Sequence, residues 1–266
     1  MNMRDGNANA AAHSDRETAH GSSALVVLRA EEGAALIGRA VAALPRVRQR
    51  LQRGRMAIVG GGTTCHVVRH LLGEDPERDR FAVGCIRNGR LGETPAEGRG
   101  PGAYLFDHGV VSRGWPGPLL NDFEAGDIYI KGANALDAAG HVAILLASPV
   151  GGTIGAALAI LMARGGELIV PVSLNKLIPS VPAACGLLGQ GRVDRVMGTP
   201  VGLLPLMAGS ATVITELTAL RILYDLAATP VAADGFDDCA GAMVLHLSGA
   251  ADRIDQLWQQ LDAMRR

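Results

Sequence analysis

Three stretches of this sequence place chemistry-bearing residues beside turns. The first is Val59-Gly60-Gly61-Gly62-Thr63-Thr64. Consecutive glycines let a backbone turn sharply and present successive N–H groups, and a following helix adds the positive end of its dipole. With the two threonine hydroxyls as further donors, Gly61, Gly62, Thr63 and Thr64 are candidates to hold a phosphate or a carboxylate. The same residues read equally as a tight strand-to-helix turn with a threonine N-cap. The spacing matches neither GxxxxGK(S/T) nor GxGxxG. Gly151-Gly152-Thr153 is a second turn of this kind. Two such turns on strands of one sheet would converge at the carboxyl ends of those strands, where open α/β sheets take their ligands.

The third stretch is Ile130-Lys131-Gly132-Ala133-Asn134-Ala135-Leu136-Asp137. Here Lys131 can pair with an anion, Asn134 can orient a carbonyl or hydroxyl, and Asp137 can act as a base. A polar turn bonded to its own backbone is the competing reading. Lys176 offers another positive charge at the same edge, or is an ordinary loop residue. Glu216 is a candidate carboxylate, or an acidic first-turn residue favoured by a helix dipole.

Metal and nucleophile readings are thinner. His66 and His70 stand at i, i+4, a spacing that can chelate zinc, but no HExxH and no third ligand accompany them. No metal and no cofactor is therefore expected. Cys65 beside the first glycine turn reads as a buried thiol or as one activated by a helix N-terminus. Asp107-His108 reads as a surface turn. Asp234, Asp237 and Asp238 lack the spacing of a calcium loop. No serine sits in a GxSxG elbow.

The elements that must carry these residues alternate. Short apolar runs at Ala57–Val59, 81–86, 127–131, 142–147 and 168–172 read as strands, and glycine turns open helices after residues 62 and 153. Residues 31–53 carry helical apolar spacing that Pro45 divides in two. Residues 92–118, dense in Gly and Pro, read as a long irregular loop. After residue 210 come a strand at 212–214, a helix at 216–226, strands at 230–232 and 243–247, and an amphipathic helix at 251–264. The expected fold is α/β: a mainly parallel sheet covered by helices on both faces, with a small C-terminal α+β extension. The expected divisions are a disordered tail over 1–23, a ligand-binding domain over 24–210 and a C-terminal subregion over 211–266.

Composition narrows the partners. The chain has 266 residues and a formal net charge of −1, which leaves no footprint for nucleic acid. Aromatic residues make up only 3%, so Ala, Val, Leu and Ile must fill the core. The uncharged run 142–163 is long enough for a membrane span, but Pro149, Gly151 and Gly152 cut it, so no membrane partner is expected. Four scattered cysteines and no signal-like start point to the cytoplasm. A parallel sheet and an exposed apolar last helix are compatible with a homo-oligomer.

Taken in order, these motifs resemble the fold shared by ribose-5-phosphate isomerases, glucosamine-6-phosphate deaminases and CoA transferases, which also includes DeoR-type effector domains and lactate-utilisation (LUD) domains. Gly61-Gly62-Thr63-Thr64 is similar to the phosphate loop of the isomerases and effector domains. Lys131-Gly132-Ala133-Asn134-Ala135-Leu136-Asp137 resembles the isomerase segment beginning Asp-Gly-Ala-Asp, and more closely the Gly-Ala-Asn-Ala stretch of LUD domains. Gly151-Gly152-Thr153 falls at the isomerases' glycine run, Leu174-Asn175-Lys176 at a Ser-Lys or Asn-Lys position. Val213 to Leu217 is similar to a CoA-transferase β-subunit segment. The match runs over about residues 56–217.

The departures are chemical. The isomerases' catalytic aspartate falls on Asn134, which cannot take a proton as a base. Their lysine before the glycine run is absent from Leu146-Ala147-Ser148-Pro149-Val150, and no acid stands in Gly155-Ala156-Ala157. The resemblance implies a protein that binds a phosphorylated or carboxylated small metabolite, with isomerisation or group transfer as its chemistry. A non-catalytic metabolite sensor and a CoA or acyl transferase using Glu216 are the alternatives.

Overall fold

Residues 21–265 are described by a computed structural model. In chain order, β1 (Ser22–Leu28) leads into α1 (Ala30–Ala43) and α2 (Pro45–Arg50), and β2 (Arg55–Ile58) into α3 (Gly62–Leu72) and the single turn α4 (Arg78–Phe81). Two hairpins follow, β3 (Gly84–Arg87) with β4 (Arg90–Glu93) and β5 (Ala103–Asp107) with β6 (Val110–Gly114), then the turn α5 (Gly117–Leu120). Next come β7 (Ile128–Ile130), β8 (Ala135–Leu136), β9 (Val142–Leu146), α6 (Gly152–Arg164), β10 (Glu167–Pro171), α7 (Val181–Leu187) and β11 (Gly202–Leu206). The chain closes with β12 (Thr212–Ile214), α8 (Glu216–Tyr224), β13 (Ala227–Ala233), β14 (Met243–Gly249) and α9 (Ala251–Arg265).

The result is a mixed α/β protein around a mixed six-stranded sheet in the order β12-β10-β7-β2-β5-β6. Strands β12, β10, β7 and β2 run parallel; the β5–β6 hairpin joins β2 antiparallel. Period-two alternation divides the sheet's side chains between two apolar clusters. Met56, Ile58, Ile128, Ile130, Ile169 and Ile214 join one, with Ile37 and Val41 of α1, Val67 and Val68 of α3 and Leu220 of α8. Ala57, Tyr129, Leu168 and Val170 join the other, with Ile154, Ala157 and Leu161 of α6. Each fully buried Ile or Leu contributes roughly 1.5–3 kcal/mol relative to exposure, so these stripes fix which way each strand faces. Where α1 crosses α3, a Cβ on Gly38 would stand 2.4 Å from the His66 Cβ, so glycine is what lets the two helices meet. Pro45 sits at the first position of α2, and Leu44 before it is extended, which ends α1 as the sequence predicts.

Several expectations need correction. The run 142–147 is a strand, but β9 leaves the central sheet and pairs antiparallel with β8 and β11. The stretch 92–118 is not one irregular loop. It holds β5 and β6, whose turn places His108 at φ 48° and Gly109 at φ 91°, the left-handed pair of a tight hairpin. Within the expected strand 81–86, Phe81 ends α4 and the strand starts only at Gly84. Residues 1–20 of the expected tail lie outside the described residues, while Ser22 and Ser23 already pair with Gly249 and Ser248. The last stretch is α+β in kind, but its three-stranded sheet β1-β14-β13 borrows its first strand from the front of the chain, and β12 belongs to the central sheet. Among the described residues, no helix is long and apolar enough to cross a membrane.

Candidate functional site

The four parallel strands end level with one another. One bond past each strand the ladder continues, with Val59 N–H donating to Ile130 O at 2.9 Å, Lys131 N–H to Ile169 O at 3.0 Å and Val172 N–H to Ile214 O at 3.0 Å. Beyond these bonds the chain delivers Gly60-Gly61-Gly62 from β2, Lys131-Gly132 from β7, Ser173 to Lys176 from β10 and Thr215-Glu216 from β12. The carboxyl edge of the sheet thus gathers residues that are far apart in sequence.

The first glycine turn is built by close approach. A Cβ on Gly60 would lie 1.8 Å from the Phe81 carbonyl oxygen, which no side chain tolerates. Gly61 is extended at φ 174°, and helix α3 starts there without a side-chain cap. The Thr64 hydroxyl donates back to Val59 O at 2.7 Å and to Gly61 O at 3.0 Å, fastening the turn. Thr63 is buried. The first intrahelical bond is Cys65 N–H to Gly61 O, so the amides of Gly62, Thr63 and Thr64 precede the helix ladder. Above Gly62 lies the guanidinium of Arg78, whose Nη2 would be 2.9 Å from an added Cβ. Arg78 is held by Glu31 Oε2 at 2.8 Å, and Glu31 Oε1 takes His66 Nε2 at 3.0 Å. The His66 bond, helped by Arg78, brings the Glu31 carboxyl down to about 2. A groove of ≈ 280 Å³ lies here, lined by Glu31, Cys65, His66, Arg69 and Arg78 among others. Burial pushes the Cys65 thiol up to about 11, and the thiol donates to Gly61 O, so it is an inert core group.

The second glycine turn is made by backbone conformation. Gly151 and Gly152 both adopt positive φ, +78° and +57°, ahead of α6. The buried Tyr129 hydroxyl donates to Thr153 O at 2.8 Å, tying the first turn of α6 to the middle of β7. Helix α6 packs in the cluster of Tyr129 and Leu168 and α3 in that of Ile58 and Ile130, so the two turns belong to different apolar clusters and do not converge as expected.

The remaining candidates separate into two groups. Lys131 follows Tyr129 by two residues, so alternation puts its side chain on the α6 face. It is partly buried, and among the described residues it makes no ion pair or side-chain hydrogen bond; burial lowers its amine to about 8. Lys176 donates through Nζ to Ala133 O at 2.8 Å. Burial lowers its amine too, followed by the repulsion of nearby Arg78, with Glu216 pulling the other way. Glu216 is fully buried, and burial raises its carboxyl. It accepts the Ser173 hydroxyl and, at 2.9 Å, the Leu174 N–H. Gly33 of α1 approaches so closely that a Cβ there would meet Glu216 Oε1 at 2.9 Å.

Asn134 and Asp137 flank β8 of the small sheet, just past Ala133, whose carbonyl takes Lys176. Asn134 accepts Leu145 N–H at 3.0 Å. The Asp137 carboxylate accepts the N–H groups of Ala139, His141 and Val181 at 2.9–3.1 Å, and His141 Nδ1 at 3.1 Å. The Val181 bond leads in lowering its pKa against burial. These four donors account for its oxygens as fasteners of the β8–β9 turn and of the start of α7.

Two features were not singled out from the sequence. Arg78 lies 16 residues past Gly62 and could be tied to the turn only through the fold. The other is a count: of 25 Lys and Arg residues, only Lys131 and Lys176 are lysines, and both follow strands at the carboxyl edge. That signal was available. A segment also bridges the region. Gln190 donates to Ala147 O after β9, and Leu91 of β4 pairs with Met197 O and Thr199 N–H at 2.9 Å. Gly198 permits this, since a Cβ there would lie 1.9 Å from Leu91 O. Among the described residues, no group of three or more His, Cys, Asp or Glu could hold a metal ion.

No family model, no curated protein and no solved structure matches the chain.

Proposed function

We propose that the chain binds a phosphorylated or carboxylated small metabolite at the carboxyl edge of its parallel strands. One observation carries the reading: the edge gathers Lys176, Arg78 and the amides of α3's first turn, with Glu31 on Arg78 and the buried Glu216 as the acids beside them. Burial raises the pKa of the Glu216 carboxyl, while its bonds from Ser173 and Leu174 favour the charged form. The amides of Gly62, Thr63 and Thr64 precede the helix ladder, and amides at a helix start favour an anion. The resemblance of the ordered motifs to the isomerase, deaminase and CoA-transferase superfamily supports the same ligand class. The Arg78 guanidinium over Gly62 adds a forked donor suited to phosphate. Apolar side chains from α1, α3 and α8 on one side and α6 on the other support a doubly covered sheet. Four free cysteines support a cytoplasmic setting.

A non-catalytic sensor is the second reading. It draws on the state of the carboxylates: Asp137 is saturated by donors, and Glu216 is buried against Ser173 and Leu174. Neither is a free base, and Glu216 is no exposed nucleophile for acyl transfer.

A thermal-shift series with inorganic phosphate, ribose 5-phosphate, coenzyme A and lactate tests the binding reading, since a ligand of the native state raises the midpoint by mass action. The phosphate-bearing probes are expected to stabilise the wild type, and Lys176→Met to weaken them by about tenfold. A flat response to every probe overturns the reading.

A further inference from the structure

We propose that a second copy of this chain docks on the free edge of β1, strand against strand and α9 against α9, so that the protein forms a two-fold dimer. The inference goes beyond the anion-binding reading and does not depend on it.

The small sheet β1-β14-β13 has two edges, and they are built differently. A free edge offers unpaired N–H and C=O groups to any strand that comes near, and proteins blunt it with proline, charge or a bulge. β13 carries two of these devices, Pro230 and a register shift between Pro230 and Ala232. β1 carries none. Its residues Ser22 to Leu28 include no proline and no charge, and they pair with β14 one for one without a shift. Ala24, Val26 and Leu28 face the core, while Leu25 and Val27 are 60% and 44% exposed. At Val27 a side chain already does what a strand would do, since Arg265 Nη2 donates to its carbonyl at 2.7 Å.

The flank of this edge is apolar too. Trp258 of α9 is 46% exposed, and with Leu25, Val27, Leu261, Asp262 and Arg265 it lines a groove of ≈ 190 Å³ along β1. Large apolar side chains left exposed together at one groove mark an interaction surface.

Symmetry, charge and sequence select a second copy as the occupant. Leu25 is the middle residue of β1 and Trp258 the middle residue of α9. A two-fold axis at the groove therefore overlaps each element with its own copy, running antiparallel. The charged residues of the groove are one acid and one base, Asp262 and Arg265, so no single sign of charge repels a copy. Residues 1–20 of the chain hold no Val, Ile, Leu, Phe, Tyr or Trp, which makes them a poor filling for an apolar groove. Area sets the strength. Leu25, Val27 and Trp258 expose on the order of 300 Å² between them, and with a polar rim two copies bury about 1,000–1,200 Å², the low end of specific interfaces. A dimer that dissociates in the micromolar range is expected.

Sedimentation velocity of the full chain from about 1 to 300 µM tests this, a range that brackets weak specific association. The wild type should pass from monomer to dimer across it. Leu25→Lys should weaken the dimer by at least about tenfold without lowering the thermal midpoint of the monomer, because an exposed side chain is being replaced. Val110→Lys, on the exposed edge strand β6 of the central sheet, should leave association unchanged. Leu25→Cys gives a readout that does not rely on lost binding. In the dimer the two introduced thiols are opposite or diagonal neighbours within about 8 Å, so a short bismaleimide should join position 25 to position 25, as peptide mapping would show. Hydrogen exchange over Ser23 to Val27 should slow as the concentration rises.

A wild type that stays monomeric over the whole range overturns the proposal, as does association that Leu25→Lys leaves intact or that Val110→Lys removes. A dimer in which the Leu25→Cys thiols stay unlinked places the contact elsewhere and overturns it too. Protection of β1 that is the same at every concentration excludes a second copy at this edge.

Discussion

The two glycine turns look alike in sequence and are held by different forces. At Gly60 to Gly62 the constraint is space: Phe81 O crowds Gly60 and the Arg78 guanidinium crowds Gly62, while Gly61 keeps an extended backbone. At Gly151 and Gly152 the constraint is torsion, with both residues in the left-handed region that favours glycine. The first turn is thus welded to a neighbouring segment, and its shape depends on α4. The second is set by its own backbone and tethered at one point, the Tyr129 hydroxyl. A pair of similar motifs therefore gives no licence to assume a shared ligand. Here they start helices that pack in different apolar clusters, and the second follows a strand outside the central sheet.

The largest effect that would break this contrast is expected at Gly60. Gly60→Ala sets a Cβ 1.8 Å from a carbonyl oxygen of the main chain, so the backbone of either Gly60 or Phe81 must move. A loss of about 3 kcal/mol or more follows if the turn is held by packing, measured by urea unfolding. A loss under about 1 kcal/mol would show that α4 is not tightly seated on the turn, and the comparison would fail.

Gly151→Ala comes next. At φ +78° an alanine incurs roughly 1–2 kcal/mol of backbone strain, and its Cβ would approach the Gly155 Cα at 3.0 Å. The same unfolding measurement should therefore place this variant between wild type and Gly60→Ala. Replacing Gly151 by asparagine sharpens the point, because asparagine enters the left-handed region more readily than alanine and should recover part of the loss. Equal losses for both replacements would mean that contact with Gly155, rather than torsion, governs the second turn.

Much of the frame was legible from local pattern. The strand at Thr212–Ile214, the division of the first helix pair at Pro45 and the glycine-opened helices α3 and α6 all follow from short-range rules of apolar spacing and turn chemistry. What was not legible depends on partners distant in sequence. Val142 to Leu146 reads as a strand in any context, but only its pairing with β11, some sixty residues on, takes it out of the central sheet. β1 finds β14 across almost the whole chain. The hairpin of β5 and β6 was hidden because the glycines and prolines around it mask the buried Tyr104 and Phe106. In the site, Lys131 and Lys176 could be read as strand-end residues. Asp137 also looked like one until the turn of β8 and β9 engaged its oxygens, and Arg78 reaches Gly62 only through the placement of α4.

A smaller effect tests the tether of the second turn. Tyr129→Phe removes the hydroxyl that donates to Thr153 O and keeps the ring in the core, so a loss of about 1 kcal/mol is expected. Hydrogen exchange should localise it, with faster exchange at the first turn of α6 and no change at the first turn of α3. If both helix starts exchange faster, the two turns are coupled through β7, and their independence is lost.

The smallest effect distinguishes the turns by charge. Arg78 is held over Gly62 by Glu31, whose carboxyl the His66 bond keeps near 2 in the fold, below its ordinary 4.5. A depressed folded-state value means that the stabilisation is complete above pH 4.5 and fades as the pH falls toward 2. The Glu31 and Arg78 side chains are 59% and 58% exposed, so solvent screens the pair and the global midpoint should scarcely move. The local readout is more telling. On acidification across this window, exchange at Cys65, the first bonded amide of α3, should accelerate relative to Gly155, the first of α6, because no carboxylate among the described residues bonds the second turn. Glu31→Gln should show the faster exchange already at pH 7 and no further change on acidification. If wild type and Glu31→Gln respond alike, Arg78 is held by packing alone, and the first turn is as self-contained as the second.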